Sequence, residues 1–88
     1  MYRKVVADAY GVMDDLENIM EEYVGRHGSW EFNFRDEDYI EIDTYEPIDD
    51  RALQRVLDDL ERLENTSNWT IVEEIGHDNT MRIECFAE

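Results

Sequence analysis

The spacing of apolar residues in the first half of the chain changes from a helical period to an alternating one. Between residues 5 and 24 the apolar residues recur at steps of three and four, which predicts an amphipathic helix that Gly25 and Gly28 end. Apolar and polar residues then alternate over residues 30–35 and 40–43. Because successive side chains of a strand point to opposite faces, these segments predict a β-hairpin.

The second half repeats this order of elements. Pro47 blocks a continuing strand, and the pair Asp49-Asp50 suits the N-terminus of a helix whose apolar residues, mostly leucine, fall on one face over residues 52–63. Alternation returns over residues 69–75 and 81–86, on either side of a polar turn. This pattern predicts a second hairpin.

The order helix, hairpin, helix, hairpin predicts an α+β fold of the αββαββ type, with residues 1–88 as one acidic domain. Two helices and four strands with one apolar face each bury those faces together if both helices pack on one side of a four-stranded antiparallel sheet. We expect Trp30 and Trp69, which begin the two hairpins, and Cys85 to lie in that core. The other side of the sheet is expected to face water.

Net charge is the property that bears most directly on function. The chain has 24 Asp and Glu against eight Lys and Arg, a formal charge of −16. This charge excludes direct binding to nucleic acid, although an apolar content of 42% still predicts a folded protein. The sequence has neither the pattern of a signal peptide nor the about 20 apolar residues of a membrane span, so we expect a cytoplasmic protein.

The sequence lacks the residue patterns that support catalysis or metal binding. His27 and His77 are isolated, and Cys85 is the only cysteine, so no metal-ligand spacing occurs. Neighbouring carboxylates such as Asp14 and Asp15 do not face each other on a helix and form no acid–base pair. Glycine-rich phosphate loops and nucleophile elbows are also missing. We therefore expect no enzymatic activity, no cofactor and no metal.

The predicted first helix concentrates negative charge on its outer surface, because no basic residue lies between Lys4 and Arg26. At 3.6 residues per turn its carboxylates form two rows, and neighbours three or four residues apart lie about 5–6 Å from each other, a spacing comparable to that of phosphates along a DNA strand. One predicted row consists of Asp14, Glu17 and Glu21, and the other of Asp8, Asp15 and Glu22.

The predicted first hairpin is the second acidic element, with seven acidic residues and one basic residue between Glu31 and Glu46. Its outward positions combine carboxylates with tyrosines. Tyrosine supplies rigid contact area and carboxylates bind Arg or Lys, so this combination suits a protein interface. The candidate contact residues are Glu31, Asp36, Glu37, Asp38, Tyr39, Glu41, Asp43 and Tyr45.

An acidic surface of this kind is also consistent with three different roles. The carboxylates could form an ordinary solvated face. The surface could be halophilic, as the single lysine, Lys4, suggests, although the content of Ile, Phe, Trp and Met is ordinary. Alternatively, the chain could be an immunity protein that neutralises a basic toxin, which needs the same kind of surface.

In size, charge, lack of catalytic motifs, and possession of an acidic helix and an acidic hairpin, the chain resembles the small DNA-mimic inhibitors of phages and other viruses, the anti-CRISPR and anti-restriction proteins. That resemblance implies a stoichiometric inhibitor of a basic DNA-binding protein such as a CRISPR effector complex. Such an inhibitor occupies the channel meant for DNA. It contacts neither nucleic acid nor a membrane.

Overall fold

The structure, a computed structural model, describes residues 2–25, 29–36 and 38–87, and for residues 2–10 and 36 it describes the backbone alone. The elements, in chain order, are α1 (Tyr2–Tyr23), β1 (Trp30–Asp36), β2 (Tyr39–Thr44), α2 (Asp50–Thr66), β3 (Trp69–Ile75) and β4 (Met81–Ala87). The predicted αββαββ order is confirmed. The predicted helix breaker Gly28, the isolated His27 and the candidate contact Glu37 lie outside the described residues.

The four strands form one antiparallel sheet in the order β1-β2-β4-β3. Each hairpin pairs within itself, and β2 pairs with β4, so the two hairpins join through their second strands. The register of β1 on β2 shifts between Phe34 and Asp36. Asp36 ends β1, one residue beyond the predicted alternation over residues 30–35.

Both helices pack on one face of the sheet, as predicted, and the core lies between the two layers. Trp30 is 2% exposed and Trp69 is 1% exposed, which confirms that the two tryptophans are core residues. Cys85 is fully buried, and burial raises the pKa of its thiol to about 12. The helices contribute mainly Val12, Leu16, Ile19, Met20, Val56, Leu60 and Leu63, and the sheet adds Ile40, Ile42, Ile71, Met81 and Ile83.

The helix boundaries follow from local backbone chemistry. The Asp49 carboxylate accepts a hydrogen bond from the backbone N–H of Arg51 at 2.8 Å, which caps the start of α2 as predicted. At the end of α1, the N–H groups of Val24 and Gly25 both donate to the carbonyl of Met20. Gly25 has φ +125°, a conformation that side chains disfavour, which explains why the helix ends at a glycine.

The turn between β3 and β4 is fastened to the start of α2 through Asn79. Its side-chain amide donates to the Ile48 carbonyl at 3.0 Å and to the Asp50 carboxylate at 2.7 Å, and its own carbonyl accepts from the Ile48 N–H. Asn79 adopts φ 63°, which asparagine tolerates better than most residues. These bonds tie the second hairpin to the helical layer at a point distant in sequence.

Side chains from the end of α2 meet the edge strand β3. The backbone N–H of Trp69 donates to Ser67 Oγ at 3.3 Å, and that of Ile71 donates to Glu64 Oε1 at 3.4 Å. Donors on an edge strand can otherwise pair with the strand of another chain. Contacts of this kind therefore protect this edge of the sheet.

Candidate protein interaction surface

The first candidate surface is a row of carboxylates on α1, which we name the outer row: Asp14, Glu17 and Glu21. Asp14 and Glu21 are exposed and Glu17 is half-buried. Their positions match the three- and four-residue spacing of one helix edge. The outer row therefore presents negative charge to solvent along about two turns of α1.

The second predicted row of α1 lies beside α2. Asp15 and Glu22 are exposed, and both line an open groove between the helices together with Asp59 and Arg62 of α2. Arg62 Nη2 lies 3.6 Å from Asp59 Oδ1, so a base is present in this groove. The side chain of Asp8, the third member of the predicted row, lies outside the described part of the structure.

The second candidate surface is the side of the sheet that faces away from the helices, which we name the open face. Because Ile40, Ile42, Ile83 and Cys85 point into the core, the residues between them point to the open face. The open face comprises Glu31, Asn33, Arg35, Tyr39, Glu41, Asp43, Tyr45, Thr70, Val72, Glu74, Arg82, Glu84 and Phe86.

A hydroxyl placed between two carboxylates forms the centre of the open face. Glu41 lies directly opposite Glu84 on the neighbouring strand, a pairing of like charges that is unfavourable by itself. The Tyr39 hydroxyl lies 2.9 Å from Glu41 Oε2 and 2.8 Å from Glu84 Oε2, so the two carboxylates share its single proton. Both contacts raise the pKa of the Tyr39 hydroxyl, and the contact with Glu84 has the larger effect.

Glu41 differs from the exposed residue that the sequence predicted. It is only 8% exposed, and Arg35 Nη2 donates to its Oε1 at 3.1 Å. The hydrogen bonds from Tyr39 and then Arg35 hold the pKa of the Glu41 carboxyl below its usual value. The expectation that this face is simply wet is therefore wrong at Glu41, whose charge is satisfied within the protein.

Two further pairs on the open face are bonded internally. Arg82 Nε donates to Asp43 Oδ1 at 2.7 Å, and this contact raises the pKa of the guanidinium. The Tyr45 hydroxyl donates to Glu31, which lowers the pKa of the carboxyl and raises that of the tyrosine. Tyrosines and carboxylates of the predicted interface thus bind one another, a possibility that the sequence analysis did not consider.

The predicted contact residues fall on opposite sides of the molecule. Asp14, Asp15, Glu17, Glu21 and Glu22 lie on the helical layer. Glu31, Tyr39, Glu41, Asp43 and Tyr45 lie on the open face, and exposed Asp38 follows the hairpin turn. The side chain of Asp36 and the whole of Glu37 lie outside the described residues.

The open face also has an apolar part, which was not among the predicted contacts. Phe86 is 41% exposed and stacks on Tyr39, with ring centroids 5.0 Å apart and planes inclined by 10°. Val72, equally exposed, lies diagonal to Phe86 across the β3–β4 ladder. The sequence pattern could have predicted this exposure. Met81, Ile83 and Cys85 occupy the inward positions of β4, so Phe86 must point outward.

Within the described residues, no group of three or more His, Cys, Asp or Glu side chains is arranged to hold a metal ion. The same part of the chain contains no helix with the length and apolar character that a membrane span requires. Comparisons with protein-family models, with curated proteins and with solved structures find no match to this chain.

Proposed function

We propose that this chain is a stoichiometric inhibitor that imitates the charge of DNA and blocks the nucleic-acid-binding channel of a host defence nuclease. The proposed target is a CRISPR effector complex, and the inhibitor acts in the host cytoplasm without chemistry of its own. The observation that carries the proposal is the outer row of α1, three carboxylates on one helix edge in a stretch without a basic residue between Lys4 and Arg26.

The outer row supports DNA mimicry because its geometry is regular and held by a folded core. Helical neighbours at three and four residues lie about 5–6 Å apart, comparable to phosphates along one strand. Leu16 and Met20, on the core-facing side of α1, are fully buried and fix the rotation of the helix. The row is therefore presented at a defined angle to a partner.

Two surfaces suggest two roles in binding. A net charge of −16 attracts a channel lined by Lys and Arg over long distances, which raises the association rate in a salt-sensitive manner. Slow dissociation needs desolvated contacts, which aromatic side chains and charge-assisted bonds supply. In this mechanism the outer row mainly accelerates the encounter, and the open face prolongs the complex.

A specific observation favours one second candidate. The Tyr39–Phe86 stack is a compact aromatic contact of the kind found at the centre of protein–protein interfaces. An immunity protein that neutralises a basic toxin would use such a contact together with the same acidic surface. The two functions differ in whether DNA competes for the partner's site.

Competition with DNA tests the proposal. Fluorescence anisotropy would follow labelled target DNA bound to each of a panel of CRISPR effector complexes while the chain is added. We expect displacement near one equivalent, with an association rate that falls as salt rises. Reversing Asp14, Glu17 and Glu21 to Lys should weaken this displacement at least tenfold.

The matched control reverses three exposed carboxylates outside both surfaces, Glu46, Asp58 and Glu61, which changes the net charge by the same amount. We expect this control to lose less affinity than the outer-row variant. Equal losses would show that total charge matters and its arrangement does not. Failure of the parent to displace DNA from any effector would overturn the proposal. Binding to a basic toxin that DNA does not affect would support the immunity-protein function instead.

A further inference from the structure

We infer that the Phe86 ring, stacked on Tyr39, and the Glu84 carboxylate beside it receive one partner arginine. The inference deepens the proposed function and rests on its premise that the partner is a basic protein. Its residues on β4 were not among the predicted contacts.

Two carboxylates of the open face are each bonded to an arginine of the same face. Arg35 is bonded to Glu41, and Arg82 is bonded to Asp43. Glu84 accepts the Tyr39 hydroxyl proton on Oε2, which leaves its Oε1 for a second donor. Among the described residues, no arginine is bonded to Glu84, the carboxylate beside the aromatic pair.

An exposed aromatic surface lies next to the Glu84 carboxylate. Phe86 is two residues from Glu84 on the same face of β4, and it remains 41% exposed after stacking on Tyr39. A guanidinium is planar, stacks on aromatic rings and donates several N–H groups to a carboxylate at once. An ammonium forms the point-charge contact without planar stacking, so the site should prefer arginine over lysine.

Charge repulsion disfavours a second copy of this chain as the occupant. Two copies that each carry −16 repel one another, and the described side chains of the open face include five carboxylates against two arginines. A basic surface is electrostatically complementary to it. Charge therefore selects a basic partner.

The test uses the intact chain and two defined probes, an oligo-arginine peptide and an oligo-lysine peptide of equal length. Titrations followed by NMR of the ¹⁵N-labelled chain would give both affinities and the residues affected. We expect the arginine peptide to bind about two- to fivefold more tightly, with the largest shifts at Tyr39, Glu84 and Phe86. Equal affinities, or shifts confined to α1, would overturn the inference.

Phe86→Leu keeps an apolar side chain and removes the aromatic ring, and it should abolish the preference for arginine while leaving lysine binding unchanged. Phe34→Leu is the matched control, because Phe34 is 42% exposed but shares the helix side of the sheet with its cross-strand partner Ile40. The control should keep the preference. Retention of the preference by Phe86→Leu, or its loss in Phe34→Leu, would contradict the assignment.

The peptide experiment and the DNA competition can fail separately. A chain that prefers arginine but displaces no DNA would overturn the DNA-mimic proposal and keep the arginine site. A chain that displaces DNA but binds both peptides equally would do the reverse. Shifts that depend on chain concentration without peptide would assign the open face to a second copy and overturn the inference.

Discussion

The outer row of α1 and the open face of the sheet are both acidic, but their charges are in different physical states. Asp14 and Glu21 are exposed on a helix whose sequence contains no base after Lys4. On the open face, Glu41 and Asp43 accept hydrogen bonds from arginines. The carboxylates of the outer row are thus the more exposed, whereas the open face binds much of its charge internally.

This difference shows that a count of carboxylates does not identify an interface. Internal bonds give the open face a fixed shape and reduce its outward field, whereas exposed carboxylates give the outer row a field that salt screens readily. Long-range attraction therefore belongs mainly to the helical layer. Shape-dependent recognition belongs mainly to the sheet.

The largest expected effect comes from substitutions in the hydrophobic core, because the same core supports both surfaces. Trp30→Ala and Trp69→Ala each delete a nearly fully buried indole and should cost about 3–5 kcal/mol. The free energy of unfolding of a small domain is about 5–15 kcal/mol, so either variant should be largely unfolded or only marginally stable. Thermal unfolding followed by circular dichroism measures this loss. A variant that melts cooperatively near the parent would contradict the core assignment.

Most of the fold could be predicted because each element carries a local signal. The alternation after Trp30, the cap at Asp49 and the break at Gly25 are short-range features, and the structure confirms all three. The strand order is a different case. Alternation states which side chains share a face, but it does not say that β2 pairs with β4 or that Asn79 binds the loop before α2.

The second prediction breaks the internal bonding of the open face. Tyr39→Phe keeps the aromatic stack on Phe86 but removes the hydroxyl that serves Glu41 and Glu84. The two carboxylates would then face each other without this donor, so we expect the melting temperature to fall by about 4–8 °C. Differential scanning calorimetry at neutral pH measures the change.

A second substitution checks the cause of that loss. Adding Glu84→Gln to Tyr39→Phe removes one of the two opposed charges and should restore part of the melting temperature. Tyr45→Phe, which removes an exposed hydroxyl bonded to Glu31 alone, should lower it less. If both tyrosine variants melt alike, the position of Tyr39 between two carboxylates has no special effect.

The internal bonds of the open face lay beyond what the sequence could predict. Tyr39 and Glu84 are 45 positions apart, and their contact depends on the pairing of β2 with β4. Alternation correctly placed Glu41 on the outer side of the sheet. Its burial follows from Arg35 and Tyr39 covering it, which depends on side-chain conformations that no periodic pattern encodes.

The third prediction uses pH to separate bonded charge from exposed charge. Hydrogen bonds from Tyr39 and Arg35 hold the pKa of Glu41 below its ordinary value of 4.5. A carboxyl with a lowered pKa stabilises the folded state above pH 4.5, and this contribution disappears as pH falls through the folded-state pKa. The stability difference between the parent and Glu41→Gln should therefore shrink progressively below about pH 4.5.

Urea unfolding at several pH values measures that difference, and the same comparison in a Tyr39→Phe background is its control. Since Tyr39 supplies the larger bond to Glu41, the pH dependence of the difference should be weaker in that background. A difference that stays constant from neutral to acidic pH would mean that Glu41 is not stabilised as an anion.

The smallest expected effect is on the outer row, where neutralisation should change stability little and in the opposite direction. Asp14→Asn, Glu17→Gln and Glu21→Gln together remove like charges at three- and four-residue spacing, so the melting temperature should rise by at most about 4 °C at low salt. The gain should vanish near 1 M salt, where the screening length is about 3 Å.

Calorimetry of parent and variant across this range of salt measures the gain. It also tests the halophilic alternative, because a halophilic parent would unfold as salt is removed whereas a DNA mimic should stay folded. A fall in melting temperature as large as that of Tyr39→Phe would show that the charges of the outer row stabilise the fold as strongly as those of the open face, and the division of roles between the two surfaces would then be wrong.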